Sequence, residues 1–118
     1  MGESDSGERV RAAVLTIAVH AHAANLDRSA ALGEFYASAV AGRMVDAEQH
    51  AAAELAHQLV GSAGTFGFPV VSDLAAELEQ FFSDGAFEDT DRVAVAGAQL
   101  DRLRVELAAE PAYLDGAG

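Results

Sequence analysis

Val93, Ala96, Leu100, Leu103 and Leu107 recur at intervals of three and four residues. That rhythm follows the turn of an α-helix and collects the five side chains into one stripe. Such a stripe is the seam of an antiparallel helical bundle. The same interval governs the other apolar stretches, and nowhere do apolar and polar residues alternate with the period of two that marks a half-buried strand. The chain has only two prolines, and alanine swells its 51 % apolar content. Both features favour helix. At 118 residues, a single domain with one modest core is expected. The fold class is therefore all-α, an up-and-down antiparallel four-helix bundle with an additional N-terminal helix.

Residues 1–6 are polar and acidic and are expected to be disordered, with the bundle spanning 7–109 and a loose tail over 110–118. A first helix is predicted from about Gly7 to Ala24. It carries two stripes, Val10, Val14, Ile17 and Ala21 on one and Leu15, Val19 and His22 on the other. Two stripes imply more than one neighbour, a second subunit among the candidates. Asn25 to Asp27 reads either as a break or as a bend, and a second segment to about Ala41 turns Leu32, Phe35 and Ala39 inward. The third helix is predicted to start with Asp46 as N-cap and Gln49 in capping-box position, and to run to about Thr65. Pro69 suits the first turn of the fourth, which buries Val70, Leu74, Leu78 and Phe81 and stops at Ser83-Asp84-Gly85. Thr90 is the expected cap of the fifth, and Glu110-Pro111 its end.

The third helix carries the unusual feature. Ala52, Leu55, Leu59, Ser62 and Phe66 fall on one helical face, which should meet the core. At about 100° per residue, His57 lies nearly opposite, among Ala53, Val60, Gly61 and Gly64. Its imidazole should project into solvent from a patch of small side chains. A glycine inside a helix costs roughly 1 kcal/mol relative to alanine. Two of them beside one exposed histidine suggest space kept open for a partner or charged group. Ser62, on the inward stripe, reads as a small residue admitting a neighbouring helix, and Thr65, Phe66 and Phe68 as helix-end packing.

His57-Gln-Leu-Val-Gly-Ser-Ala, then Thr65-Phe-Gly-Phe, then Leu74, Leu78 and Glu79, resembles the histidine-containing phosphotransfer (HPt) domain. The Gly-Thr-Phe-Gly-Phe portion is especially similar to the phosphotransfer domain of chemotaxis histidine kinases. The resemblance implies that His57 carries a phosphoryl group on Nε2 and exchanges it with an aspartate of a response-regulator receiver domain, with a histidine kinase as the other partner. It also implies that Glu79 accepts a hydrogen bond from the second ring nitrogen and orients the ring. Gly61 and Gly64 would give the phosphoryl group access, and Ala53, Gln58, Val60 and Gly64 would line the docking surface. Mg²⁺ and most catalytic groups would come from the receiver. The chain would then need no cofactor of its own and would have no independent turnover, so it is not expected to be an enzyme. Similarity to kinase-attached domains also makes a larger signalling protein a candidate context.

One position departs from the family pattern. Most members carry Lys where this chain has Val60, and the seven basic residues here are all arginine. A degenerate domain, binding receivers or dimerising while His57 stays idle, is the competing expectation.

The formal net charge of −12 argues against nucleic acid and anionic membranes, since both need a positive face. There is no cysteine, hence no disulfide framework or thiolate site. No apolar run is long enough for a transmembrane span, so a cytoplasmic protein is expected. His20 and His22 point to different sides of a helix. His50 and His57 share a face but stand about 10 Å apart along it. Neither pair has the spacing of a helical metal site, and none is expected.

Overall fold

Four helices follow one another in the computed structural model, which describes residues 2–109: α1 (Gly2–Val40), α2 (Asp46–Thr65), α3 (Pro69–Asp84) and α4 (Thr90–Ala108). Short connectors force each helix back along the last. Cross-links between helices fix the antiparallel sense. Tyr36 near the end of α1 donates its hydroxyl to the Val93 carbonyl at the start of α4 (2.8 Å). Gln49 at the start of α2 donates its side-chain amide to the Phe82 carbonyl at the end of α3 (2.9 Å).

The separate N-terminal helix is not observed. The two segments expected on either side of Asn25–Asp27 form one continuous α1 of 39 residues. Asn25 is fully buried and its Oδ1 accepts from Arg28 Nη1 (2.8 Å), while Ser29 Oγ donates to the Leu26 carbonyl (2.8 Å). The Asn25 side-chain carbonyl oxygen and the Ser29 hydroxyl, which could have broken the helix, bond within its own turns, while the buried Asn25 Nδ2 has no partner among the described residues. The helix also begins at Gly2, so residues 2–6, expected to be disordered, are helical. Nothing stops it at Gly7, since one helical glycine costs only about 1 kcal/mol. The tail over 110–118 lies outside the described residues.

At 1.5 Å per residue α1 is about 58 Å long, while α2 to α4 reach only about 24–30 Å. The molecule measures 62 × 26 × 17 Å along its principal axes. The N-terminal part of α1 therefore stands beyond the bundle. Among the described residues Ala18 is the first buried one of α1, and one turn on the His22 ring stacks on Phe68 in the α2–α3 connector (centroids 5.1 Å, 9° between planes). Before that point Val10, Val14, Leu15, Ile17 and Val19 are exposed, so the two predicted stripes are not buried by this chain.

The core is built from Leu32 of α1, the α2 stripe, Val71, Leu74, Leu78, Phe81 and Phe82 of α3, and Ala96, Leu100, Leu103 and Leu107 of α4. The α4 seam is as its spacing predicts, except that Val93 at its start is only half-buried. In α2 the buried residues are Ala52, Ala56, Leu59 and Ala63, whereas Leu55, Ser62 and Phe66 are half-buried. The helix is thus rotated relative to the predicted face. Alanines let α2 and α3 approach closely, and the small side chains take the centre while Leu55 moves to the flank.

The caps also shift by one residue. Val45 is the N-cap of α2, and Glu48 reaches back to its N–H (3.4 Å). Gln49, expected in that role, is used across the bundle instead. Asp89, not Thr90, caps α4 by accepting from the Asp91 and Arg92 N–H groups. Gly85 ends α3 in a left-handed conformation (φ 66°), as the stop signal requires. Just before it, Arg92 Nη2 donates to Asp84 (2.9 Å) and Gln80 donates to the same carboxylate. The Arg92 bond above all, with Gln80 adding to it, holds the Asp84 carboxyl below its ordinary range.

Candidate functional site

The rotation of α2 decides what His57 can touch. Measured from the centre of the Ala52–Ala56–Leu59–Ala63 stripe, His57 lies about 130° around the helix at 100° per residue. A side chain diametrically opposite the core would be out of reach of any neighbouring helix. On the flank it stays in solvent yet comes within reach of α3. Its side chain is 65 % exposed, and its Nδ1 stands 3.2 Å from Oε2 and 3.3 Å from Oε1 of Glu79, itself 34 % exposed. α3 returns antiparallel to α2 after a three-residue connector. This brings together two residues 22 apart in the chain.

The consequence is chemical. A carboxylate accepts only, so the ring nitrogen facing Glu79 is the one that carries hydrogen. Nε2 then keeps its lone pair and points to solvent. A neutral ring donating from Nδ1 to Glu79 has its free lone pair on Nε2.

Around the ring the other predicted residues divide. Gln58 and Gly61 are exposed, and a Cβ at Gly61 would meet nothing within 4 Å. Ala53 and Val60 are half-buried and pack against the core. Gly64 is exposed on one side, but a Cβ there would stand 3.2 Å from Ser72 Oγ. That hydroxyl donates to the Val60 carbonyl (2.8 Å). Gly64 therefore has a packing reason beside the open space its sequence setting suggests, and Ser72, for which the sequence carries no signal, ties α3 to the helix bearing the histidine. Only a residue whose hydroxyl faces a glycine across a turn shows this, and the pairing exists only after folding.

Gly61 has no such reason. With open space above it, Gly61→Ala should stabilise α2 by about 0.5–1 kcal/mol, raising the thermal midpoint by a few degrees. The same methyl should slow phosphoryl exchange at His57 if the glycine keeps the approach clear. A higher midpoint with an unchanged exchange rate removes the access role.

Neither helix of the site carries a cation. α2 and α3 contain no lysine and no arginine. The absent family lysine at position 60 is not replaced from within either helix. Among the described residues no three His, Asp or Glu side chains converge as metal ligands, and no helix is long and apolar enough to cross a membrane.

Of the exposed histidines, His57 is the one whose ring meets a carboxylate on the adjacent helix of this small antiparallel bundle. A model of the Hpt domain family matches residues 14–111, most of the chain. The chain belongs to the Hpt domain family and so to the phosphocarriers of phosphorelay signalling, whose partners are histidine kinases and receiver domains. No curated protein and no solved structure gives a significant match.

Proposed function

We propose that the chain is a cytoplasmic phosphohistidine carrier that exchanges a phosphoryl group between His57 and a receiver aspartate. The observation that carries this is the Nδ1–Glu79 contact beneath an exposed ring. In the forward step the Nε2 lone pair attacks the phosphorus of the receiver's aspartyl phosphate. The N–P bond forms as the P–O bond to the aspartate breaks, and the carboxylate leaves with the bonding pair. Nδ1 keeps its hydrogen, and Glu79 offsets the positive charge that the ring acquires. The reverse step returns the group by the same path. Most of such a transfer is positioning and electrostatics. Mg²⁺, which would neutralise phosphoryl charge, would come from the receiver, as the resemblance to HPt domains implies. The carrier then has no turnover of its own. Gln58, Val60, Gly61 and Ala53 form the ground on which the receiver docks, with Gly64 at its edge.

Incubating the protein with phosphorylated receivers tests this. Label should appear on the chain as acid-labile phosphate and map to His57. No acid-labile label from any receiver of the same cell supports the second reading, a bundle that binds receivers without accepting phosphate. The cation-free site helices are the observation that favours that alternative.

They also set an expectation for the carrier. A phosphohistidine with up to about −2 charge on a chain of −12 has no positive side chain from α2 or α3 beside it, so it should be passed on readily. Val60 is half-buried on the flank towards α3, where a lysine stem can pack and its ammonium reach solvent. Val60→Lys should therefore lengthen the phosphohistidine half-life several-fold after the receiver is removed. An equal or shorter half-life in the variant rejects the electrostatic account.

A further inference from the structure

We propose that the N-terminal overhang of α1 is a self-association helix, pairing antiparallel with the same segment of a second copy through Val10, Val14 and Ile17. It does not rest on the role of His57.

The first ground is that this helix lacks support. From Ser6 to Ile17 every residue is exposed save Gly7, which is half-exposed. Val10 is 62 % exposed, Val14 55 % and Ile17 56 %. A run holding three β-branched residues at helical spacing has low intrinsic helix propensity. A single unpacked helix of this length is marginal in water. The spacing of four and then three residues is that of a two-helix seam, and it is continuous with the part of α1 that enters the bundle.

Charge selects the occupant and its direction. The whole chain stands at −12, yet from Arg9 to Leu26 it has no carboxylate, and its only charged side chains are Arg9 and Arg11. Two such acidic molecules repel wherever their bundles meet. The part of the overhang from Arg9 onward is where they can touch without that repulsion. Antiparallel pairing centred between Leu15 and Thr16 sets Val14 against Ile17 of the other copy, and Val10 against its Ala21. It also leaves the two bundles at opposite ends of the paired segment, well beyond the Debye length of about 8 Å at physiological salt. Parallel pairing would instead bring the acidic bundles side by side. The dimer is an elongated body with one His57 free at each end.

The experiment is sedimentation of the full chain from about 10 to 500 µM at physiological salt, beside the double variant Val14→Glu, Ile17→Glu. A dimer mass for the wild type and a monomer mass for the variant are expected, with the variant's phosphoryl uptake unchanged. Because the chain has no cysteine, a spin label on Glu8→Cys reports direction. A separation of about 25 Å indicates antiparallel pairing and about 10 Å parallel pairing. A wild type that stays monomeric throughout, a double variant that still dimerises, or the short label distance overturns the proposal. So does a monomer that instead binds vesicles of anionic phospholipid through this segment, which would make the partner a membrane.

Discussion

Replacing His57 with glutamine is expected to abolish acid-labile label on the chain while leaving its fold as it was. Glutamine removes the nucleophilic nitrogen outright, and no partial activity should remain. The structural cost should be small. The side chain is 65 % exposed, and its one polar partner is the Glu79 carboxylate. Pairs of this exposure contribute about 0–1 kcal/mol, and surface substitutions of this kind shift stability by about 0.5 kcal/mol or less. A loss of label therefore reads on chemistry and not on unfolding, provided the thermal midpoint is measured on the same sample. His50 supplies the control. It lies on the same helix, about 10 Å along the axis, and is exposed. His50→Gln should keep full label. Label that survives in His57→Gln but is lost in His50→Gln would move the site one pocket down the helix, to the cleft lined by Asp46, Gln49, Ala53 and Ser83.

Periodicity made the helices legible because burying a stripe is what stabilises them. Leu100, Leu103 and Leu107 are where their spacing puts them, and the glycine at position 85 stops α3 in the one backbone region that favours it. The exposed setting of His57 and its approach to Glu79 follow from the same reasoning, since two antiparallel helices joined by a tight turn bring residues about 22 apart face to face. What escaped was set by tertiary packing. Spacing alone centres the α2 face between Leu55 and Leu59, but close approach of α2 and α3 favours the small side chains of Ala52, Ala56 and Ala63 there. Asn25 reads as a break or a bend because its side chain competes with the backbone in isolation. Buried beside Arg28, it bonds to a neighbour instead. The cap of α2 falls one residue earlier, with Gln49 bonded to Phe82 across the bundle, and that of α4 one residue earlier because the Asp89 carboxylate accepts from the Asp91 and Arg92 N–H groups.

Glu79 stands two and three residues before Phe81 and Phe82, whose buried rings bear on the register of α3. How far the register depends on them is open to measurement.

Phe82→Ala should be the most damaging single substitution in the core. The side chain is fully buried, packs edge-on against Phe81 (centroids 5.3 Å) and lies 6.2 Å from Phe87. Removing a buried phenylalanine costs about 3–5 kcal/mol, through lost transfer free energy and the cavity left behind. A domain of this size has about 5–15 kcal/mol in total, so the loss takes a large share. Denaturant unfolding should show a markedly lower midpoint at an unchanged slope. The variant also separates stability from function. Phe82 is three residues beyond Glu79 on the same helix, and Gln49 fastens α2 to its carbonyl. Well below its melting temperature the variant should still take label on His57, since neither ring nor carboxylate is altered. Uptake should fall with the folded fraction as the protein is warmed. If uptake is lost while the helices remain folded, then Phe82 governs the placing of Glu79 beneath the imidazole, and the site depends on core packing more finely than a one-turn separation suggests.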